Sequence, residues 1–335
     1  MAEAPRSLTV PEKLEGARLD KALVVLAGVS RSGAKQLLES GVRVNGRRAV
    51  KGAMVRAGDV ISIESGDEAA GDLAAVPDAD VPLDVRLERP DLLVVYKQPK
   101  LATAPIRAGE RGTLANALVA RYPELSSIGP DAREPGLVHR LDTDTSGLVL
   151  VARNKEAFDE LKHALREGLV DKRYLAIVAL GVGSSRAASV AASGELPDKG
   201  EIDIPLAPHP KDKRRVFACV HERDLHRLAP RDATTSYKVL KRWKVDEAEA
   251  GSGPTGRALV EARAPKALRH QVRVHFAALG APLVGDGLYG GPPAPQLGRH
   301  ALHASRVAYE GGARVSGFVV DAGLPDDLQS LIPSS

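Results

Sequence analysis

Apolar residues first recur at helical spacing, at Leu19, Leu23 and Leu26, until Gly28 interrupts the pattern. Ser30 can cap a second helix carrying Ala34, Leu37 and Leu38 and stopped by Gly41. The period then shortens to that of a strand. Val42 and Val44 lead into Asn45-Gly46, a strong hairpin signal, and Val60-Ile61-Ser62-Ile63 reads as a closing strand. Residues 65–84 carry no periodic apolar face. They are Ala, Gly, Pro and acid, the composition of a flexible linker. From Val85 onward strands dominate, with apolar runs at Leu92–Tyr96, Leu148–Val151 and Tyr174–Val178. Leu114, Leu118 and Val119 suit a short helix. Asn154 can cap another, with Phe158, Leu161 and Leu165 inward and Gly168 as its stop. Thr235–Leu240, Ala258–Ala262 and Val272–Phe276 read as further strands or short helices.

Strands and helices do not alternate regularly, so the expected class is α+β, with a large mixed and mostly antiparallel sheet. The pattern divides the chain into a small N-terminal α/β domain over residues 12–64, an acidic linker over 65–84 and a main domain over 85–328.

Charge sharpens that division. Residues 1–65 hold eleven Lys/Arg against seven Asp/Glu, whereas residues 66–90 hold seven acids against two arginines. A basic head before an acidic neck suits an anionic partner. Hydrophobic residues make up 43% and charged residues 27%, the balance of a globular protein. Cys219 stands alone, which excludes an intrachain disulfide framework and a cysteine-rich metal site. The start MAEAPRSLTV lacks the apolar core of a secretory leader, and the run Leu23–Val29 is too short to span a bilayer, so a cytoplasmic location without membrane contact is expected. Aromatics at 3% leave little for a broad base-stacking platform.

The densest candidate chemistry lies in His139-Arg140-Leu141-Asp142-Thr143-Asp144-Thr145-Ser146-Gly147, directly before an apolar run. In extended chain Arg140 and Asp142 would project from one face, and a neighbouring arginine would keep the carboxylate ionised. An oriented carboxylate of this kind can act as a nucleophile. Thr143, Thr145 and Ser146 can hydrogen-bond the loop in place, and Gly147 permits close approach or an unusual backbone angle. Asp144 is a rival candidate by sequence alone.

The segment HRLDTDTSGLVLVARN resembles the signature of the RluA-like pseudouridine synthases. DLLVVYKQPKLATAPI, DKRYLAIV and RHQVRVHFAALGAPLVGDGLYG are similar to further segments of that family, so the resemblance covers most of residues 85–325. It implies conversion of uridine to pseudouridine in structured RNA, without a cofactor. It makes Asp142 the nucleophile and Arg140 its active-site neighbour. Tyr174 would be the ring packed on the target base, and Arg273 the arginine paired with Asp142. RLDKAL, SRSGAKQLLESGVRVNG and GDVISI resemble the alpha-L RNA-binding motif. Arg18, Lys21, Arg31, Lys35, Arg43 and Arg47 would then meet phosphate, as would Lys172, Arg214, Arg215 and Arg269 of the main domain. Ribosomal RNA of the large subunit is the favoured target, with transfer RNA the other, and the protein is expected to be a monomer. In two places the chain departs from the family: Ala267-Leu268-Arg269-His270-Gln271 replaces the usual Gly-Arg-x-His-Gln, and Ala104-Pro105 the common His-Pro.

Other motifs carry less. His270 and His275 are five apart and would not share a face, and His300 with His303 lacks a third ligand, so no metal site is expected. GSGPTG (251–256) and GDGLYG (285–290) match a dinucleotide fingerprint only as strings, without the strand before or the helix after. No nucleophile elbow supports a serine hydrolase. The competing reading is a non-catalytic RNA-binding or ribosome-assembly factor on the same fold.

Overall fold

A computed structural model describes residues 6–63, 73–181, 196–245 and 254–333, apart from 28, 30–33, 35, 36, 39, 40, 51 and 267. The chain forms two compact units.

In the smaller unit, β1 (Arg6–Thr9), β2 (Val42–Val44), β3 (Arg47–Arg48) and β4 (Val60–Ile63) make an antiparallel sheet in the order β1-β4-β2-β3. The Asn-Gly signal is realised: Asn45 (φ 50°) and Gly46 (φ 77°) are both left-handed and join β2 to β3 with a two-residue turn. The Asn45 side chain accepts from Val60 N at 2.8 Å and donates to Asp59 at 2.8 Å, pinning the turn to β4. Helix α1 (Leu19–Ala27) buries Leu19, Ala22 and Leu23 against Val42, Val55 and Ile61. Of the second expected helix, Ala34, Leu37 and Leu38 are helical, and its other positions lie outside the described residues. The sheet begins at Arg6, earlier than the boundary expected at residue 12.

The larger unit is built on one sheet of nine strands. They are β5 (Asp84–Glu88), β6 (Leu92–Lys97), β7 (Ser146–Ala152), β8 (Val170–Leu180), β9 (Lys199–Asp203), then, after a separate β10–β11 hairpin (Leu206–Pro208, Val216–Ala218), β12 (Thr234–Lys244), β13 (Gly256–Arg263), β14 (Leu302–Gly311) and β15 (Ser316–Asp321). The order is β5-β6-β7-β14-β8-β13-β12-β9, with β15 also on β14; every pairing is antiparallel except β7 with β14. β6 and β7 are buried along their whole length, which is why their apolar runs do not alternate.

Helix α2 (Leu114–Arg121) starts with a capping box between Thr113 and Asn116. In α3 (Lys155–Glu167) Asn154 accepts from Ala157 N at 2.8 Å, Gly168 ends the helix at φ 74°, and Phe158 and Leu161 enter the core of β6 and β7. Three further helices are α4 (Glu222–Leu228), α5 (Gln271–Ala278) and α6 (Asp326–Gln329). Val272–Phe276 is therefore helix, and Thr235–Leu240 strand. The stretch expected as linker, 65–84, is folded in its last part. From Pro77 the rest of that stretch belongs to the larger unit, and Asp78 is buried there, accepting from Gly112 N at 3.0 Å. Among the described residues no helix is long and apolar enough to cross a membrane.

Candidate active site

The loop that enters β7 is tied at six consecutive residues. Leu141 O accepts from Thr103 Oγ1 at 2.7 Å, and Asp142 O accepts from Thr145 N at 3.0 Å. Thr143 O accepts a hydrogen bond from Lys97 Nζ at 2.9 Å, and Asp144 O one from Arg299 Nη1 at 3.2 Å. Thr145 Oγ1 pairs with His300 Nε2 at 2.7 Å and Ser146 Oγ with His303 Nδ1 at 2.9 Å. Lys97 spends its other two N–H groups on Gln98 O and Leu101 O. Its burial, opposed by Asp142 and Asp144, brings its pKa down to about 7. Gly147 has φ 118°, and a Cβ there would lie 2.2 Å from Ala304 O, because β14 runs directly alongside. Only glycine fits that crossing.

On this anchored loop the Asp142 carboxylate is 24% exposed. Arg273, on α5, donates from Nη1 to Asp142 Oδ2 at 2.7 Å. The rest of its fork goes to Asp286, from Nε at 2.7 Å and Nη2 at 2.9 Å. Arg273 and Asp286 are 8% and 1% exposed. Burial works against charge on Asp142. The facing His270 and the Arg273 guanidinium more than offset it and hold the carboxyl below its ordinary value. Burial also brings His270 down to about 4, so at neutral pH the standing cation is Arg273. Among the described residues the carboxylate takes its side-chain hydrogen bond on Oδ2, which is also the oxygen 3.7 Å from His270 Nε2. Tyr174, on β8, is buried within the field of Asp142; burial first and that charge second raise its phenol pKa, keeping the proton on.

Two sequence expectations need correction. Arg140 does not pair with Asp142: it is exposed and bonds Glu134 Oε1 at 2.7 Å. Residues 139–142 are not a strand, so the two-residue alternation that would have put both side chains on one face does not apply. Lys172 does not reach RNA. It is 1% exposed, and its Nζ has no hydrogen-bond partner. Strand alternation turns it into the sheet's covered face, with Val170 and Tyr174. Burial, then the charge of Lys162, lowers its pKa to about 7.

Lys172 carries a stability prediction. Its folded pKa lies below the unfolded value of about 10.4. The unfolded chain thus holds an extra proton between about pH 7 and pH 10, and stability should rise with pH across that window. Lys172→Met should raise the melting temperature at neutral pH and flatten that rise, as thermal melts at several pH values would show.

The remaining expected residues are scattered. Arg18, Lys21, Arg43 and Arg47 are exposed on the small unit, with Arg18 paired to Asp20; Arg31 and Lys35 lie outside the described residues. Arg214 is exposed in the turn between β10 and β11. Arg215 turns inward, its guanidinium 5.6 Å from the Tyr289 ring centre. Exposed Arg269 donates to Lys213 O at 3.0 Å and Arg214 O at 2.7 Å, tying that turn to the start of α5. Asp286 and Tyr289 lie in GDGLYG, a segment that resembles the family but in which neither residue stands out as a site residue. The signal available was an acid between two glycines. His300 and His303 fasten the loop, and among the described residues no cluster of three His, Cys, Asp or Glu suits a metal.

The site is thus an anchored, ionised carboxylate paired with a buried arginine, beside a buried tyrosine, on a mixed sheet. The sequence model of the RNA pseudouridylate synthase family matches residues 91–278. A ribosomal large subunit pseudouridine synthase D from Yersinia pestis is 32% identical over 97% of this chain and 93% of its own. The uncharacterized RNA pseudouridine synthase YlyB of Bacillus subtilis is 31% identical over 97% and 96%. Among solved structures, human RNA pseudouridylate synthase domain containing 1 superposes with a TM-score of 0.52 at 22% identity, covering 76% of this chain and 89% of that one, and so shares the fold. The chain belongs to the RNA pseudouridylate synthase family, in its RluA-like branch. It is accordingly an isomerase acting on RNA.

Proposed function

We propose that this protein isomerises uridines of large-subunit ribosomal RNA, with Asp142 as the nucleophile. One observation carries the assignment of Asp142. Arg273 donates to Oδ2 at 2.7 Å, with no hydrogen bond to Oδ1 among the described residues, on a loop tied along its length. Asp144, the other candidate, makes no ion pair among the described residues. The ribosomal target is supported by what the relatives at 31–32% identity are named for.

The target uridine leaves its stack, at a cost of roughly a few kcal/mol, and phosphate contacts with basic side chains offset that cost. Lys211, Lys213 and Arg214 stand exposed for this on the turn after β10, and Lys21, Arg43 and Arg47 on the small unit. Tyr174 packs on the flipped base. Asp142 Oδ1 bonds to the nucleoside, at the anomeric carbon or at the base. The glycosidic C–N bond breaks, the base turns, and a C–C bond to the sugar replaces it. The carbon gives up a proton and the released nitrogen gains one, so reactant and product are isomers. Arg273 stays on Oδ2 throughout and stabilises the carboxylate whenever it is released.

Mapping pseudouridines in total RNA from cells with and without this protein tests the target. The expected result is loss of one or more sites from large-subunit ribosomal RNA. Loss confined to transfer RNA would overturn that assignment, and no loss in any RNA would favour the binding-factor reading.

A further inference from the structure

The contacts of His270 are absorbed by none of the roles above. Its backbone is left-handed, at φ 55° and ψ 15°, an arrangement that strains a residue with a Cβ by about 1 kcal/mol or more. The strain is held in place from both sides. Arg269 is fastened to Lys213 O and Arg214 O. Gln271 accepts from Leu268 N at 2.8 Å and donates to Thr234 O at 2.9 Å and Thr235 Oγ1 at 3.0 Å. The result is an imidazole set between two polar groups: Nδ1 is 2.8 Å from Tyr289 Oη, and Nε2 is 3.7 Å from Asp142 Oδ2.

The Tyr289 hydroxyl favours one of the two placements of the ring proton. Its oxygen already accepts from Val216 N at 2.8 Å. Burial raises its pKa, so it keeps its own hydrogen and has that hydrogen to give. Donating to Nδ1 leaves the proton of a neutral ring on Nε2, facing a carboxylate. The opposite tautomer would set a lone pair against that charge. The arrangement closes on itself, because the Arg273 guanidinium lies 5.2 Å from the centre of the same Tyr289 ring and donates to the same Oδ2.

We propose that His270 is a positioning residue for the nucleophile: a neutral imidazole whose Nε2–H, oriented by Tyr289, is the second donor on Asp142 Oδ2 and leaves Oδ1 as the attacking oxygen. The present 3.7 Å closes to a hydrogen bond when a nucleotide displaces solvent from Asp142. The charged and titratable groups around the ring are Asp142, Arg273, Arg269, Asp286 and Tyr289; burial disfavours a cationic ring most, the two arginines add to that, and the two carboxylates oppose it.

The inference rests on Asp142 being the nucleophile, so its test has an arm that needs no turnover. Long-range proton–nitrogen NMR of the full chain at pH 7, assigned with His270→Gln, should show His270 as the Nε2–H tautomer. Tyr289→Phe should shift it toward a mixture of tautomers. An Nδ1–H ring or a cation in the wild type would overturn the proposal, as would an unchanged tautomer in Tyr289→Phe. In turnover, Tyr289→Phe should lower kcat about tenfold with KM within twofold, and His270→Gln, which keeps an N–H donor, should retain more kcat than His270→Leu. Equal kcat in those two His270 variants would overturn it. A wild type without turnover on any RNA would instead sink the synthase reading, leaving the tautomer to decide on His270.

Discussion

Arg273→Met is expected to abolish turnover and to unfold the larger unit more easily. The guanidinium serves two carboxylates at once, and its partner Asp286 is 1% exposed. Removing one member of a buried ion pair leaves the other charged and unsolvated, at a cost of about 3–5 kcal/mol. For a unit of this size that is roughly a 10 °C fall in melting temperature. Arg273→Lys should recover little, since an ammonium cannot reproduce two N–H bonds to Asp286 and a third to Asp142. A pH profile would separate the two roles. Asp142 has a depressed pKa in the folded protein, so its contribution to stability is present above its ordinary value of about 4 and lost as pH falls through the folded value. Any residual activity of Arg273→Met should show an acid limb shifted upward, because burial would then act on Asp142 without its cation.

Asp142→Asn is expected to lower kcat by about a thousandfold or more while leaving the fold intact. The amide keeps the shape and still offers Arg273 an oxygen, but it cannot bond to the nucleoside and leave again as a carboxylate. Binding of RNA should survive, because the exposed basic side chains on the turn after β10 and on the small unit are untouched. A melting temperature within a few degrees of wild type, with RNA retained in a gel-shift assay, separates this outcome from that of Arg273→Met.

The local features of the fold could be read from the chain because short-range chemistry dictates them. Asn45-Gly46 demands a left-handed pair, Asn154 and Gly168 bracket a helix, and the runs in β6 and β7 can only be buried on both faces. Short-range chemistry marks the polar loop before β7 but leaves Asp142 and Asp144 as rivals, and only the family resemblance puts Asp142 first. Its partner could be named only through the family resemblance, which points to Arg273. Arg140 is two residues away and points elsewhere, whereas Arg273 is 131 residues away and arrives only when α5 docks. Asp286 was hidden in the same way, in a glycine string whose meaning depends on what lies across from it. Lys172 misled because a basic residue beside Arg173 and Tyr174 reads as surface until the pairing of β8 with β13 and β14 fixes which face is covered.

The central claim is that Asp142, held by Arg273, forms the bond to the nucleoside. Release of tritium from large-subunit ribosomal RNA transcripts labelled at the base carbon that becomes bonded to the sugar tests it most directly, with Asp142→Ala and Asp144→Ala measured beside the wild type. Release from the wild type and from Asp144→Ala, and none from Asp142→Ala, is the expected result. Continued release from Asp142→Ala would contradict it.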